Sequence, residues 1–203
     1  METLLTPVPL IHGGAAPFTW PWALAFWLVY FGVSALETPV AKHADLHAAL
    51  ADVPTARWLL PSAVFASLVL AWYRVGAPSG DGPGILLTAG LSAMLAGGLL
   101  RRHCFRMLGA SFTYQLQAEP GQAVIQRGAY AFIRHPGYLG GILVHAGFGL
   151  ATGSLAAAAV QLGVSVLLYL QRIRNEERLL ENALGDSYRQ FMAGRKRLIP
   201  FVY

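Results

Sequence analysis

Charge is scarce in this chain, and acidic charge is scarcest: 203 residues carry 15 Lys and Arg, 10 Asp and Glu, and one cysteine. The lone Cys104 excludes an intrachain disulfide and a multi-cysteine metal site, and its place among arginines reads as a reduced cytoplasmic thiol. The N-terminus lacks the basic n-region and cleavage site of a signal peptide, so the apolar run that follows is expected to be a retained helix. No internal repeat and no long low-complexity linker is present. His43 and His47 stand four residues apart without a third ligand, so no metal site is expected. Basic and aromatic residues do not interleave into a surface for bases, so the net charge of +5 does not point to nucleic acid.

What fills the chain instead is uncharged sequence. Phe18 to Leu36 runs 19 residues without Asp, Glu, Lys or Arg, Trp58 to Tyr73 runs 16, Gly82 to Leu100 runs 19, and Pro136 to Leu170 runs 35. A bilayer-spanning helix needs roughly 20 mostly apolar residues. At about 1.5 Å per residue the longest run would reach about 52 Å as one helix, well past a hydrocarbon core of about 30 Å, so it must turn back. Ala151-Thr152-Gly153-Ser154 is the expected turn, giving a helical hairpin with arms of about 16 residues. The fold class expected is therefore all-α integral membrane, with about five transmembrane helices, the last two forming the hairpin. The chain reads as one membrane domain over 1–203, with three N-terminal helices in 1–100 and the half that carries the polar motifs in 101–203. Leu95-Ala96-Gly97-Gly98 and Ala156-Ala157-Ala158-Ala159 read as surfaces for close helix packing.

Orientation follows from the cations, because short translocated loops are depleted in them. Arg101 to Arg134 holds five arginines, and Gln171 to Tyr203 holds Arg172, Arg174, Arg178, Arg189, Arg195, Lys196 and Arg197. Placing both segments in the cytoplasm puts Lys42 and Arg57 there too, leaves Arg74 outside, and sets the N-terminus outside and the C-terminus inside. The host would be the endoplasmic reticulum in a eukaryote and the cytoplasmic membrane in a microbe.

Two polar constellations flank the hairpin. Gly128-Ala129-Tyr130-Ala131-Phe132-Ile133-Arg134-His135-Pro136-Gly137-Tyr138 precedes it, and Arg172-Ile173-Arg174-Asn175-Glu176-Glu177 follows it. Arg172 and Glu176 are four apart, so a continuing helix puts them on one face, where they form either a solvated ion pair or a joint ligand site. Ionisable groups at a membrane edge mark substrate pathways, which favours the site. Pro136 suits the first turn of a helix, where its missing N–H costs nothing. Gly140-Gly141 would admit a close helix or a lipid tail, and His145 reads as a packing residue.

Gly-x-Tyr-x-x-x-Arg-His-Pro-x-Tyr-x-Gly, a hairpin, Arg-Ile-x-x-Glu-Glu, then Gly185-Asp186-Ser187-Tyr188 and a basic tail ending near Ile199-Pro200-Phe201 resemble the isoprenylcysteine carboxyl methyltransferases. Upstream, Leu108-Gly109-Ala110-Ser111-Phe112-Thr113 resembles the segment before that family's cofactor site. The resemblance spans about Leu108 to Tyr203. It implies methyl transfer from S-adenosylmethionine to the C-terminal carboxylate of a prenylated cysteine or a similar lipid-like carboxylate drawn from the lipid bilayer. It also implies cofactor binding by Gln117, by Gln122, Ala123, Val124 and Ile125, by Tyr130, by His135, Pro136, Gly137 and Tyr138, and by Glu176, with Arg172 on the substrate carboxylate. The connecting segment and the C-terminal helix would form the cofactor site. Gln122 stands where the family usually has His, and it too can donate and accept hydrogen bonds. Related families keep the open alternatives: another membrane-soluble acceptor, such as a phospholipid amine or a thiol, or a membrane reductase.

Overall fold

The computed structural model describes residues 22–37, 56–74, 84–109 and 122–200. Within them lie six α-helices: α1 (Trp22–Glu37), α2 (Ala56–Arg74), α3 (Ile85–Leu108), α4 (Pro136–Ala151), α5 (Leu155–Leu184) and α6 (Asp186–Ala193). A 3-10 turn covers Gly128–Ala131, and an isolated parallel bridge joins Ile133 to Lys196. The side-by-side order is α1, α3, α4, α5, α2, so α4 lies in the middle, between α3 and α5.

The hairpin turn falls where expected. The Thr152 hydroxyl donates to the Gly149 carbonyl at 2.7 Å, Gly153 takes φ of 76°, and Ser154 caps α5 by accepting from the Ala157 N–H at 3.2 Å. The arms are unequal, however. α4 has 16 residues, whereas α5 has 30 and runs without a break through Arg172 and Glu176. Strong helix formers, Arg, Glu and Leu, carry it onward after the apolar part ends at Leu170. At about 45 Å, α5 is longer than the roughly 30 Å hydrocarbon core of a bilayer, and its charge lies in its C-terminal half. Among the described residues, α3 and α5 are the two helices long and apolar enough to cross a membrane; the apolar parts of α1 and α2, Ala23–Ala35 and Leu59–Val69, are shorter.

Small residues set the α3–α4 distance. Gly90 lies on Gly147 and Ala151, and seven residues along Gly97 lies on Gly140, so a methyl group at any of the four glycines would strike the facing helix. Two turns separate the pairs on each helix, which keeps both on one seam of an antiparallel contact. Gly98 takes Val33 of α1, and Gly149 takes Ala157 and Ala158 of α5, in line with the small-residue patches. Gly140 and Gly141 admit protein rather than lipid: Gly140 faces Gly97 and Arg101, and Gly141 faces the Tyr169 hydroxyl. Alongside the Gly90 end of this seam Phe26, Leu87, Met94, Phe148 and Ala151 form an apolar core; toward the Gly140 end Ile142, Ile173 and Leu198 form another, bordered by Tyr138 and Tyr169.

After α5, Gly185 (φ 56°) turns the chain into α6, whose Tyr188 and Phe191 are buried. The chain then comes back to the start of α4. The Arg134 N–H donates to the Lys196 carbonyl at 2.9 Å and the His135 N–H to the Arg197 carbonyl at 3.0 Å, so 196–197 form a strap across the residues before Pro136.

Candidate active site

The site is built where three chain segments meet at the charged end of the bundle. The first is the 3-10 turn, entered at Gly128 with φ of 61°; a side chain there would also meet His103 of α3. The turn brings Tyr130 against Cys104, with which it shares a hydrogen bond. Burial raises the Tyr130 phenol well above its ordinary range, and the neighbouring Cys104 and Glu176 add to this against Arg101, so it stays a neutral donor.

The second segment is the start of α4. His135 is its N-cap residue, 5% exposed, and Pro136 takes the first helical position as expected. The His135 ring stacks on Tyr138 at 5.5 Å and 15°. The third segment is the charged half of α5. Arg172 donates from Nε to the Tyr138 hydroxyl at 2.9 Å, and its guanidinium lies 6.0 Å from that ring. Tyr138 also interacts with Glu176, whose Oε2 lies 3.7 Å from His135 Nδ1. That Oε2 is buried and has no hydrogen-bond partner among the described residues.

The structure thus brings Tyr130, His135, Tyr138, Arg172 and Glu176 into one group, with Pro136 and Gly137 as the backbone between. Gln122, Ala123, Val124 and Ile125 lead into the 3-10 turn without regular secondary structure, with Ala123 exposed and the other three half-buried. The next residue, Gln126, ties this stretch to the C-terminal segment by accepting from Arg195 Nη2 at 3.2 Å. Gln117, most of the Leu108 to Thr113 segment, and His43 and His47 lie outside the described residues. His145 contacts the Tyr169 ring at 6.5 Å, consistent with packing.

Sequence reasoning missed the carboxylate beside Glu176. Glu177 is 6% exposed and gathers three groups: His135 Nε2 at 3.1 Å and Arg134 Nε at 3.0 Å on Oε1, and Arg197 Nε at 2.9 Å on Oε2. Burial alone would raise its pKa, but hydrogen bonds from His135 and Arg197 and the charges of His135 and Arg134 outweigh it and hold it at about 2. The signal was present in the sequence: Ile173 is an apolar island among charges, and Glu177 follows it by four, on the same buried face. Arg101 was read only as a topological charge. It sits inside α3, donating to the Gly137 carbonyl and the Tyr169 hydroxyl at 3.4 Å each and lying 5.0 Å from the Phe105 ring.

Residues 89–182 match the model of the isoprenylcysteine carboxyl methyltransferase (ICMT) family. A protein-S-isoprenylcysteine O-methyltransferase of Schizosaccharomyces pombe is 27% identical over 117 residues, 57% of this chain and 50% of that one. Protein-S-isoprenylcysteine O-methyltransferase A of Arabidopsis thaliana is 26% identical over 115 residues, 56% of this chain and 58% of that one. The chain spans about half the length of these curated relatives. A solved eukaryotic intramembrane Ras methyltransferase ICMT shares the fold, with a TM-score of 0.65 and 19% identity over 92% of this chain and 70% of that chain. The described residues thus form an all-helical fold shared with that intramembrane enzyme, and α3 and α5 are long and apolar enough to cross a membrane. The resemblance to the isoprenylcysteine carboxyl methyltransferase family therefore holds in sequence over residues 89–182, which contain the site, and in fold over most of the chain.

Proposed function

We propose that the chain transfers a methyl group from S-adenosylmethionine to the C-terminal carboxylate of a prenylated cysteine, forming a methyl ester. The observation that carries this reading is the pairing of opposite charges one helical turn apart: Arg172, braced by Tyr138, and Glu176, with a buried oxygen that has no hydrogen-bond partner among the described residues. An orphaned buried carboxylate oxygen costs free energy until it meets a donor, and the amino group of the methyl donor is such a donor. Tyr130, His135 and Tyr138 supply the ring faces and polar edges that an adenosyl sulfonium fits. The residues present therefore fit the group.

When bound, S-adenosylmethionine supplies an electrophilic methyl on a sulfonium. A C-terminal carboxylate, with an ordinary pKa of about 3.5, arrives ionised at neutral pH, so no general base is required. That leaves His135 a binding role. The work left to the protein is placement, which can lower a barrier by roughly 7 to 11 kcal/mol. Arg172 orients the carboxylate through a charge-assisted fork that Lys cannot reproduce, and Tyr138 fixes the plane of that fork. An amine acceptor would arrive protonated and gain nothing from Arg172.

On this reading the three helices within 1–100 and the catalytic half, 101–203, form one membrane domain of five spans. Its N-terminus faces outward, its C-terminus faces the cytoplasm, and the acceptor enters from the bilayer. The division at residue 100 marks where the uncharged run of α3 ends, since α3 itself continues to Leu108. The test is transfer of radiolabelled methyl to N-acetyl-S-farnesylcysteine by the detergent-purified chain. Base-labile label is expected, reduced about 100-fold or more in Arg172→Ala. Label that resists base, or that appears only on a phospholipid amine, would overturn the carboxylate reading.

A further inference from the structure

Glu177 has no place in the methyl transfer, yet it is the most buried and most highly bonded acidic group described at this end of the bundle. Its two oxygens have separate duties. Oε1 serves His135 and Arg134 of the segment before α4, and Oε2 serves Arg197 of the strap, through Nε at 2.9 Å and Nη2 at 2.8 Å. The backbone repeats the connection, because the strap accepts from the N–H groups of Arg134 and His135. Arg134 also donates from Nη1 to the Met192 carbonyl at 3.2 Å, which draws the end of α6 into the same clamp.

The imidazole of His135 is thereby fixed from both sides. An ionised carboxylate oxygen 3.1 Å from Nε2 can only accept a hydrogen bond, so Nε2 keeps its proton as donor, and Nδ1 is left facing Glu176. We propose that Glu177 is a positioning residue for His135, holding its ring with Nε2 as donor and Nδ1 toward Glu176, and that the strap through Arg197 is thereby part of the site without touching a ligand. This rests on the reading that His135 and Glu176 hold the methyl donor. Histidines that bind a ligand with one nitrogen are commonly oriented by a carboxylate on the other, and losing that partner costs about tenfold or more in affinity.

Glu177→Gln is the informative variant. An amide has one acceptor oxygen, so it cannot accept from His135 and Arg197 through separate oxygens; one side must face an NH2. Two readouts apply to the full chain in detergent. The first is 15N NMR of histidine-labelled protein, with His135→Asn assigning the signal, which reports the nitrogen that carries the proton. The second is affinity for S-adenosylmethionine and S-adenosylhomocysteine by calorimetry.

The wild type is expected to show a protonated Nε2. Glu177→Gln should shift or average that signal and weaken both ligands about tenfold, raising KM for the methyl donor more than it lowers kcat. Arg197→Gln, at a side chain 31% exposed, should do the same to a smaller degree, and it supplies both readouts should Glu177→Gln fail to fold. With both changes together the loss should be no larger than with Glu177→Gln alone, because they break one network. An unchanged Nε2 signal in the folded variants, or unchanged affinity in both, would overturn the proposal. If the wild type binds neither ligand while the His135 signal still answers to Glu177→Gln, the methyl-donor reading fails and the clamp on His135 stands.

Discussion

Where α3 meets α4, Gly90 and Gly97 bring backbone against Gly147 and Gly140 with no charge involved, whereas beyond the apolar part of α5 one carboxylate, Glu177, gathers Arg134, His135 and Arg197. The two regions solve different problems. In an apolar surround there is little hydrophobic gain from helix association, so contact at van der Waals distance must do it, and only small residues permit that. At the polar end, buried ions are expensive unless each is paired, so the pairing must be complete. The seam is built from what side chains leave out, and the clamp from what they supply.

Breaking the clamp should have the larger effect. Glu177→Ala leaves Arg134, His135 and Arg197 without their shared anion and is expected to cost about 3 to 5 kcal/mol, read as a fall in thermal stability of the detergent-purified chain. A loss no greater than that of a surface change would mean that the strap is held by its backbone bonds alone. Gly97→Val, which drives a side chain into Gly140, should cost about 1 to 3 kcal/mol and loosen α3 from α4, seen as a lower melting temperature and faster proteolysis.

Acid separates the regions without mutation. The Glu177 pKa lies at about 2 in the folded chain, below its ordinary 4.5, so its stabilisation is complete above about pH 4.5 and is lost as pH falls through that value toward 2. Stability measured from pH 7 to pH 3 should decline in the wild type and decline less in Glu177→Gln, while Gly97→Val should keep the wild-type slope. The smallest effect belongs to Arg189, 59% exposed and paired at 2.9 Å with both Glu181 and Asp186. Arg189→Ala should leave the melting temperature unchanged within error, because solvent screens such pairs. A clear drop there would put the surface network on a par with the buried one.

The adjacent pair Glu176 and Glu177 shows how much of the site was legible. Both were visible, and the spacing of Arg172 and Glu176 put those two on one helix face, where the fold brings Tyr138 and His135 to them. Two neighbours on a helix point about 100° apart, and which one turns inward depends on how α5 packs against α4 and the strap. Ile173 gave the phase of the buried face, but only against a neighbour whose position was not in the sequence. Arg197 shows the same limit, since its charge served as a sign of topology and its partner lies 20 residues away.

The sequence by itself determined the all-helical class, the turn at Ala151 to Ser154, the glycine surfaces and the order of the motifs. These depend on the absence of charge over long runs, on local turn chemistry and on side-chain size, all of which are local properties. Only the tertiary structure decided that α5 continues unbroken from its apolar half into its charged half, that Gly140 and Gly141 receive protein, and that Glu177 is buried while Glu176 keeps an oxygen without a hydrogen-bond partner among the described residues. Those outcomes depend on which surfaces meet across many residues of chain, and a buried charge is tolerable only where partners from distant segments arrive together.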